Sequence, residues 1–238
     1  MRYYRPAVAE FIGTFALIFV GVGSIAETAA SFGQSPNLVA VALAHGLTIA
    51  VMASATGAIS GGHLNPAVSI GAFVAGKLDA LGLGVYVVAQ CLGGLAGAIC
   101  INLILPAAHL SKVGGGVPAP GNGISGVDAL FLEVVLTFFL MFVIYGTAMS
   151  ANAPKVGALF IGLTVTLDIL IGGPVTGAAM NPARWLGPAL LLPSHLVDAW
   201  IYWIGPGAGA ILAGLVWRYV LEEPVRSLEP NEGERTPA

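Results

Sequence analysis

Residues 60–76 read SGGHLNPAVSIGAFVAG, and this stretch decides how the chain folds. Asn65 before Pro66 is a helix-start pattern, because an Asn side chain caps unpaired N–H groups and a proline at the first helical position has no N–H to leave unpaired. We expect a helix from Pro66 to about Gly76, about 15 Å long, which is half of a ~30 Å hydrocarbon core. The segment is too apolar for a solvated loop and too short to span a bilayer. A re-entrant half-helix is therefore predicted, with the Gly-rich stretch before it lining water or buried in protein.

The same construction returns at residues 172–184, GGPVTGAAMNPAR, and we expect the second half-helix to run on to about Leu192. Three pairs of identical residues share an offset of 116 positions (181 − 65): Asn65 and Asn181, Gly46 and Gly162, Tyr86 and Tyr202. Each half also holds three long apolar stretches. Because three is an odd number, the second copy enters the membrane from the opposite side, and the repeats, about 6–110 and 127–221, are predicted to be inverted.

Composition supports a membrane protein, and the predicted spans and half-helices make it all-α. Of 238 residues, 57% are hydrophobic and 9% charged, and the mean hydropathy is +0.89, which nearly excludes a water-soluble globule. The net charge of −3 excludes a strongly basic nucleic-acid binder. Cys91 and Cys100 lie in apolar runs and are expected to be small buried residues without a disulfide or metal.

Six stretches are long enough to span the membrane. They are approximately 8–29, 38–57, 82–105, 128–149, 156–173 and 197–221. Lys77 and Lys155 lie in short connections on the side of both termini, whereas only Lys112 lies opposite, so both termini are predicted to be cytoplasmic. Residues 222–238 are acidic and Pro-rich, and we expect a disordered, solvated tail.

Two helix N-termini that meet at the membrane midplane would repel cations. Each Asn is expected to cap its own helix and to leave its amide N–H groups for a passing water or hydroxylated solute. The extended stretches would add carbonyl acceptors for molecules in single file. Arg184 could extend to the membrane interface, but we favour a position on the pore wall.

The paired motifs resemble the aquaporin (major intrinsic protein) family. The resemblance covers about residues 6–221 and rests on Asn65-Pro66-Ala67, on Asn181-Pro182-Ala183-Arg184, on residues 60–63 and on residues 9–14, AEFIGT. It implies a single aquaporin-fold channel domain over 1–221, a right-handed bundle of six helices with two half-helices, and a homotetramer with one pore per subunit.

The resemblance also implies a narrow selectivity filter on the extracellular side, formed by His45, Ile169, Ala178 and Arg184. This set is similar to that of plant vacuolar aquaporins, some of which pass ammonia, urea or hydrogen peroxide with water. Trp185 and Ala189 stand where glycerol channels carry Asp and a basic residue, which favours the water-type branch. The pore carbonyls are expected from residues of the two extended stretches: Gly61, Gly62, His63, Gly177 and Ala179.

Four polar residues have two interpretations each. His45 is either a satisfied core residue or a filter residue that donates to a solute or to Arg184. Asp168 is either an interface residue or a partner of His45 or Arg184. Glu10 and Glu133 either relay protons or, as we favour, accept backbone N–H bonds from the two irregular loops.

A passive channel for water is the leading hypothesis, with ammonia, urea, hydrogen peroxide and glycerol as further neutral solutes. The alternatives are a secondary transporter, which can also use inverted repeats, and a glycerol-selective channel. An enzyme is not expected, because no nucleophile and base pair or metal site is visible. No cofactor is expected, and the short loops favour a prokaryotic plasma membrane.

Overall fold

The computed structural model describes residues 2–33, 35–150 and 153–221. The predicted tail 222–238 lies outside the described residues. Within them the chain is helical and contains no strand. Among the described residues, six helices are long and apolar enough to cross a membrane, as the sequence predicts. The α-helices are α1 Tyr4–Ser31, α2 Leu38–Ser60, α3 Pro66–Val74, α4 Ala80–Ile104, α5 Ala107–Ser111, α6 Gly126–Ile144, α7 Gly157–Thr176, α8 Pro182–Ala189 and α9 Ala199–Val216.

The two halves of the chain exchange their half-helices. In the first half α1 packs on α4, and in the second α6 packs on α9 in the same way. Helix α3 of the first half packs against α9, whereas α8 of the second half packs against α4. Helices α2 and α7 join the halves directly. Each half-helix is thereby enclosed by elements of both repeats.

Helices α2 and α7 approach closely because each has a glycine at the point of contact. A Cβ atom on Gly46 would lie 2.5 Å from the carbonyl oxygen of Gly162. A Cβ on Gly162 would lie 2.8 Å from the backbone nitrogen of Ala50 and closer still to the carbonyl oxygen of Gly46. The offset of 116 therefore relates residues that meet in space.

Several helix ends differ from the predicted ones. Helix α7 continues to Thr176, with Pro174 inside it, whereas the sequence analysis placed residues 172–176 in the re-entrant segment. A proline is tolerated in a membrane helix where neighbouring groups satisfy the freed carbonyl. The half-helices end at Val74 and Ala189, earlier than the predicted Gly76 and Leu192.

Both α2 and α7 end on a glycine in the left-handed region, Gly61 with φ 89° and Gly177 with φ 78°. A residue without Cβ adopts this conformation without strain, and it is the common end of a helix. The chain then turns back into the molecule towards the two Asn-Pro pairs. Large apolar side chains remain exposed on the outer faces of the long helices, among them Leu103, Phe131 and Leu167. This exposure suits a surface that contacts lipid.

Candidate functional site

The two half-helices meet through their first residues. The Asn65 side chain caps α3 by accepting from the Ala67 N–H at 2.8 Å. The Asn181 side chain caps α8 by accepting from the N–H groups of Ala183 at 3.0 Å and Arg184 at 3.2 Å. These caps are those that the sequence predicts.

The amide nitrogens of the two Asn residues bond across the meeting point. Asn65 Nδ2 donates to the carbonyl of Met180 at 2.8 Å, and Asn181 Nδ2 donates to the carbonyl of Leu64 at 2.9 Å. The expectation that all amide N–H groups point to a passing solute is therefore wrong for one N–H of each amide. An Asn amide carries two N–H groups, so each Asn keeps one more donor. The reciprocal bonds fix the distance between the two half-helix tips.

The residues that supply these carbonyls have unusual backbone conformations. Leu64 and Met180 both have φ 52°, a region that residues with a Cβ rarely adopt. Ala178, two residues before Met180, has φ 43°. Such conformations persist where surrounding bonds hold them.

The Glu10 carboxylate holds the first loop. It accepts from the backbone N–H groups of His63 at 2.9 Å and Leu64, and from the Ser60 hydroxyl at 2.6 Å. The side-chain amide of Gln90 donates to it at 2.7 Å. Glu10 is fully buried.

The Glu133 carboxylate holds the second loop in the same manner. It accepts from the N–H groups of Ala179 at 2.9 Å and Met180 at 2.7 Å, and from the Thr176 hydroxyl at 2.7 Å. These backbone bonds are the contacts expected of a loop-supporting carboxylate. Charge-assisted bonds of this kind are about twice as strong as neutral ones.

Two cavities extend from opposite ends of the bundle and border the same three residues. The first, of about 350 Å³, is lined by Lys77 and Tyr86 at one end and by both Asn residues further in. The second, of about 420 Å³, is lined by Pro36 and Pro118 at its outer end. The residues common to both cavities are His45, Ile169 and Arg184. Ala178 lines the first cavity.

The candidate carbonyl residues are divided between the cavities. Gly61, Gly62, His63 and Ala179 line the first cavity, whereas Gly177 lines the second. The His63 ring also contacts the Ser69 hydroxyl, with 3.1 Å between Nδ1 and Oγ. His63 is thus held by both its backbone and its ring.

His45 and Arg184 are both buried and each has one anchored group. His45 Nδ1 lies 2.9 Å from the carbonyl of Val41, so this nitrogen carries the proton and the neutral ring has no N–H at Nε2. Arg184 Nη1 donates to the carbonyl of Gly116 at 3.1 Å. The Nε2 of His45 and the Nε of Arg184 are buried and have no hydrogen-bond partner among the described residues. The expectation that neutral His45 donates to a solute or to Arg184 is wrong in this geometry.

Comparison with known proteins identifies the family. The sequence model described as "Major intrinsic protein" matches residues 1–217. The chain belongs to the major intrinsic protein family.

Relatives in this family cover most of the chain. Aquaporin TIP4-4 of Zea mays is 41% identical over 221 residues, which are 90% of this chain and 85% of that protein. Aquaporin Z of Brucella melitensis is 40% identical over 220 residues, which are 90% of this chain and 96% of that protein. The solved structure of the aquaglyceroporin from Plasmodium falciparum matches with a TM-score of 0.82 at 27% identity, covering 92% of this chain and 96% of that one.

This member of the major intrinsic protein family departs from exact internal symmetry at Trp185. Trp185 stands 116 positions after Ser69 (185 − 69). The Ser69 hydroxyl contacts the His63 ring of the first loop. Trp185 is fully buried and stacks on Tyr202 with 5.6 Å between the ring centroids. Its indole N–H has no hydrogen-bond partner in the part of the chain that the structure describes. The tryptophan side chain therefore packs from α8 against α9, and it lines neither cavity.

Sequence reasoning missed several residues that hold the site of this family member. Tyr86 donates its hydroxyl to the carbonyl of Ser60 at 2.7 Å, and Tyr202 donates to that of Thr176 at the same distance. The sequence indicated these two tyrosines through the offset of the repeats, but it did not predict the roles of their hydroxyl groups. Gly116, which anchors Arg184, lies outside any repeated motif, so no sequence signal indicated it.

Of the two interpretations of Asp168, the structure does not support the one that makes it a partner of His45 or Arg184. Within the described residues it has no hydrogen bond or ion pair with His45 or Arg184, and one of its buried oxygens has no partner. It lines neither cavity. No group of three His, Cys, Asp or Glu residues that could hold a metal ion occurs in the part of the chain that the structure describes.

Proposed function

We propose that the protein is a passive channel for water that also admits small neutral solutes. The single observation that carries the proposal is that two cavities from opposite ends of the bundle share lining residues. One cavity passes both half-helix tips and ends at His45, Ile169 and Arg184, where a second cavity begins from the other side of the bundle. Membership of the major intrinsic protein family, with relatives named as aquaporins, supports it.

His45, Ile169, Ala178 and Arg184 form the proposed filter. Three of them border both cavities, which is the position expected for the narrowest part of a passage. The guanidinium of Arg184 is held at Nη1 by Gly116, and its charge opposes cations. The side chains of Ile169 and Ala178 offer only apolar surface. On that side the filter therefore discriminates solutes by their size and not by hydrogen bonding.

The half-helix tips form the proposed barrier to protons and ions. Asn65-Pro66-Ala67 and Asn181-Pro182-Ala183 direct the positive ends of both helices to one point. The remaining amide N–H of each Asn would bind the oxygen of a water molecule and turn its protons outwards. The carbonyls of Gly61, Gly62, His63, Gly177 and Ala179 would replace hydration on either side.

A secondary transporter and a glycerol-selective channel are the competing functions. A coupled carrier normally needs a carboxylate or a cation site at the membrane midplane. The buried carboxylates Glu10 and Glu133 are instead occupied by backbone donors. We prefer a water channel to a glycerol-selective channel because of Trp185 and Ala189. The measurement below distinguishes these two functions.

The test is osmotic shrinkage of proteoliposomes that contain the purified chain, followed by stopped-flow light scattering. Water flux should be non-saturating and weakly temperature-dependent, and it should exceed glycerol flux. Flux that saturates or requires an ion gradient would indicate a carrier. Equal water and glycerol fluxes would indicate a glycerol channel. The His45→Phe variant should lower urea flux more than water flux, because the larger ring narrows the filter.

The assembly and orientation are also proposed. We infer a homotetramer in the plasma membrane, with lipid and permeating solutes as the other partners, both termini in the cytoplasm, and no enzymatic activity. Arg2 pairs with Asp79 at 3.2 Å, and Lys77 and Arg218 line one common pocket, so these basic residues share one face. Light scattering of the purified protein would give the subunit number, and a membrane-impermeant thiol reagent should reach Lys112→Cys, but not Lys77→Cys, in intact cells.

A further inference from the structure

The imidazole of His45 lies against a glycine of the neighbouring helix. A Cβ atom built on Gly21 of α1 would lie 2.9 Å from Cδ2 and 3.0 Å from Cε1 of His45, and closer still to Nε2. Real Cβ atoms do not come this close to a ring, so the ring occupies the volume that an alanine methyl group would need. Gly21 lies within α1 and does not have a positive φ, so its backbone conformation does not require glycine.

The His45 ring has few other positions. Nδ1 is held by the Val41 carbonyl on one side, and the buried Nε2 faces α1, where no described residue offers it a hydrogen bond. On the remaining side the ring borders both cavities. A ring displaced from Gly21 therefore moves into the passage.

The two helices that hold this pair cannot separate easily. Helix α1 lies on glycines of α4, where a Cβ on Gly97 would meet the carbonyl oxygen of Phe15 at 2.7 Å. Helix α2 lies on α7 at Gly46, where a Cβ would meet the carbonyl oxygen of Gly162 at 2.5 Å. Both backbones are thus packed on their far sides, and the side chain of His45 is the part that can yield.

We propose that Gly21 is a positioning residue that sets how far the His45 imidazole projects into the passage, and so contributes to the choice between water and larger neutral solutes. The proposal deepens the proposed function and rests on it. In wild-type protein the ring is withdrawn onto α1, which leaves a wider opening beside Arg184. An alanine at position 21 pushes the ring towards Ile169 and Arg184 and narrows that opening.

The test compares Gly21→Ala with Gly23→Ala, two residues further along the same helix. A Cβ on Gly23 would meet only the end of the Ile101 side chain, at 3.3 Å, so this control adds a methyl group without contacting His45. We expect Gly21→Ala to lower the ratio of urea to water permeability about tenfold, since a filter excludes by width. Gly23→Ala should keep the wild-type ratio. Circular dichroism and the amount reconstituted show that each variant is folded.

The double variant Gly21→Ala/His45→Ala separates positioning from a general packing effect. Without the ring, the methyl group at position 21 has nothing to displace, and the double variant should match His45→Ala alone. A Gly21→Ala protein with an unchanged or raised urea to water ratio would overturn the proposal. So would an equal effect of Gly21→Ala in the His45→Ala background. Wild-type protein without water flux would instead overturn the proposed function, so the two failures are distinguishable.

Discussion

At the scale of single residues, two buried carboxylates hold backbone that would otherwise be strained. Leu64 and Met180 have the left-handed φ of 52°, and the N–H of each donates to a glutamate on a long helix. A left-handed non-glycine residue costs about 1–2 kcal/mol, and charge-assisted bonds can offset this. The same two residues supply the carbonyls that bind the opposite Asn. The glutamates therefore act on the passage through the loops.

Glu10→Gln tests this role against a proton relay. A glutamine has only one acceptor oxygen, and its NH₂ group would face N–H and O–H groups whose hydrogen bonds Glu10 now accepts. We therefore expect the free energy of unfolding to fall by about 1–3 kcal/mol and water flux to decrease. Thermal unfolding in detergent and stopped-flow shrinkage measure the two effects. Glu27→Gln is the control: this half-exposed glutamate near the end of the same helix contacts His109 Nδ1, at 2.7 Å, and because surface pairs contribute little to stability its substitution should change both quantities much less. Proton-coupled uptake in wild type that disappears in Glu10→Gln would support the relay.

At the scale of helices, the sequence predicted starts better than ends. Asn65 and Asn181 predict the starts of α3 and α8 correctly, because side-chain capping and the lack of a proline N–H are local effects. The continuation of α7 through Pro174 could not be predicted in that way. Away from water, a helix satisfies the backbone N–H and C=O groups within the segment itself. This requirement overrides the local tendency of Gly172, Gly173 and Pro174 to end a helix.

Gly46→Ala tests the contact between α2 and α7. The added methyl group would overlap the Thr166 hydroxyl and the Gly162 carbonyl, which belongs to rigid backbone. We expect the free energy of unfolding to fall by about 1–3 kcal/mol or more, as it does when a methyl group is added to a well-packed core. Gly57→Ala on the same helix meets nothing within 4 Å and should be neutral or slightly stabilising. Melting temperatures in detergent measure both, and equal values would contradict the close contact.

At the scale of the whole molecule, the offset of 116 predicted an inverted repeat, but not how the halves interlock. Contacts between α3 and α9 and between α8 and α4 depend on packing of distant segments, which no local pattern records. The proposed filter followed from family resemblance, whereas the Gly116 anchor of Arg184 could be found only from three-dimensional contacts. Equivalent residues nevertheless perform equivalent tasks: Ser60 and Thr176 bond to Glu10 and Glu133, and to the N–H two residues later.

The internal symmetry can be tested with Tyr86→Phe and Tyr202→Phe. Each substitution removes one hydroxyl that donates at 2.7 Å to the carbonyl of the last residue of α2 or α7, and it leaves that carbonyl without this partner. Because both rings are buried, we expect each variant to lose about 1–3 kcal/mol, the usual cost of an unsatisfied buried acceptor. Tyr219→Phe, at an exposed ring near the end of the described chain, is the control. Melting temperatures lowered by similar amounts would support equivalent roles, whereas a loss confined to one tyrosine would show that the repeats are unequally stabilised.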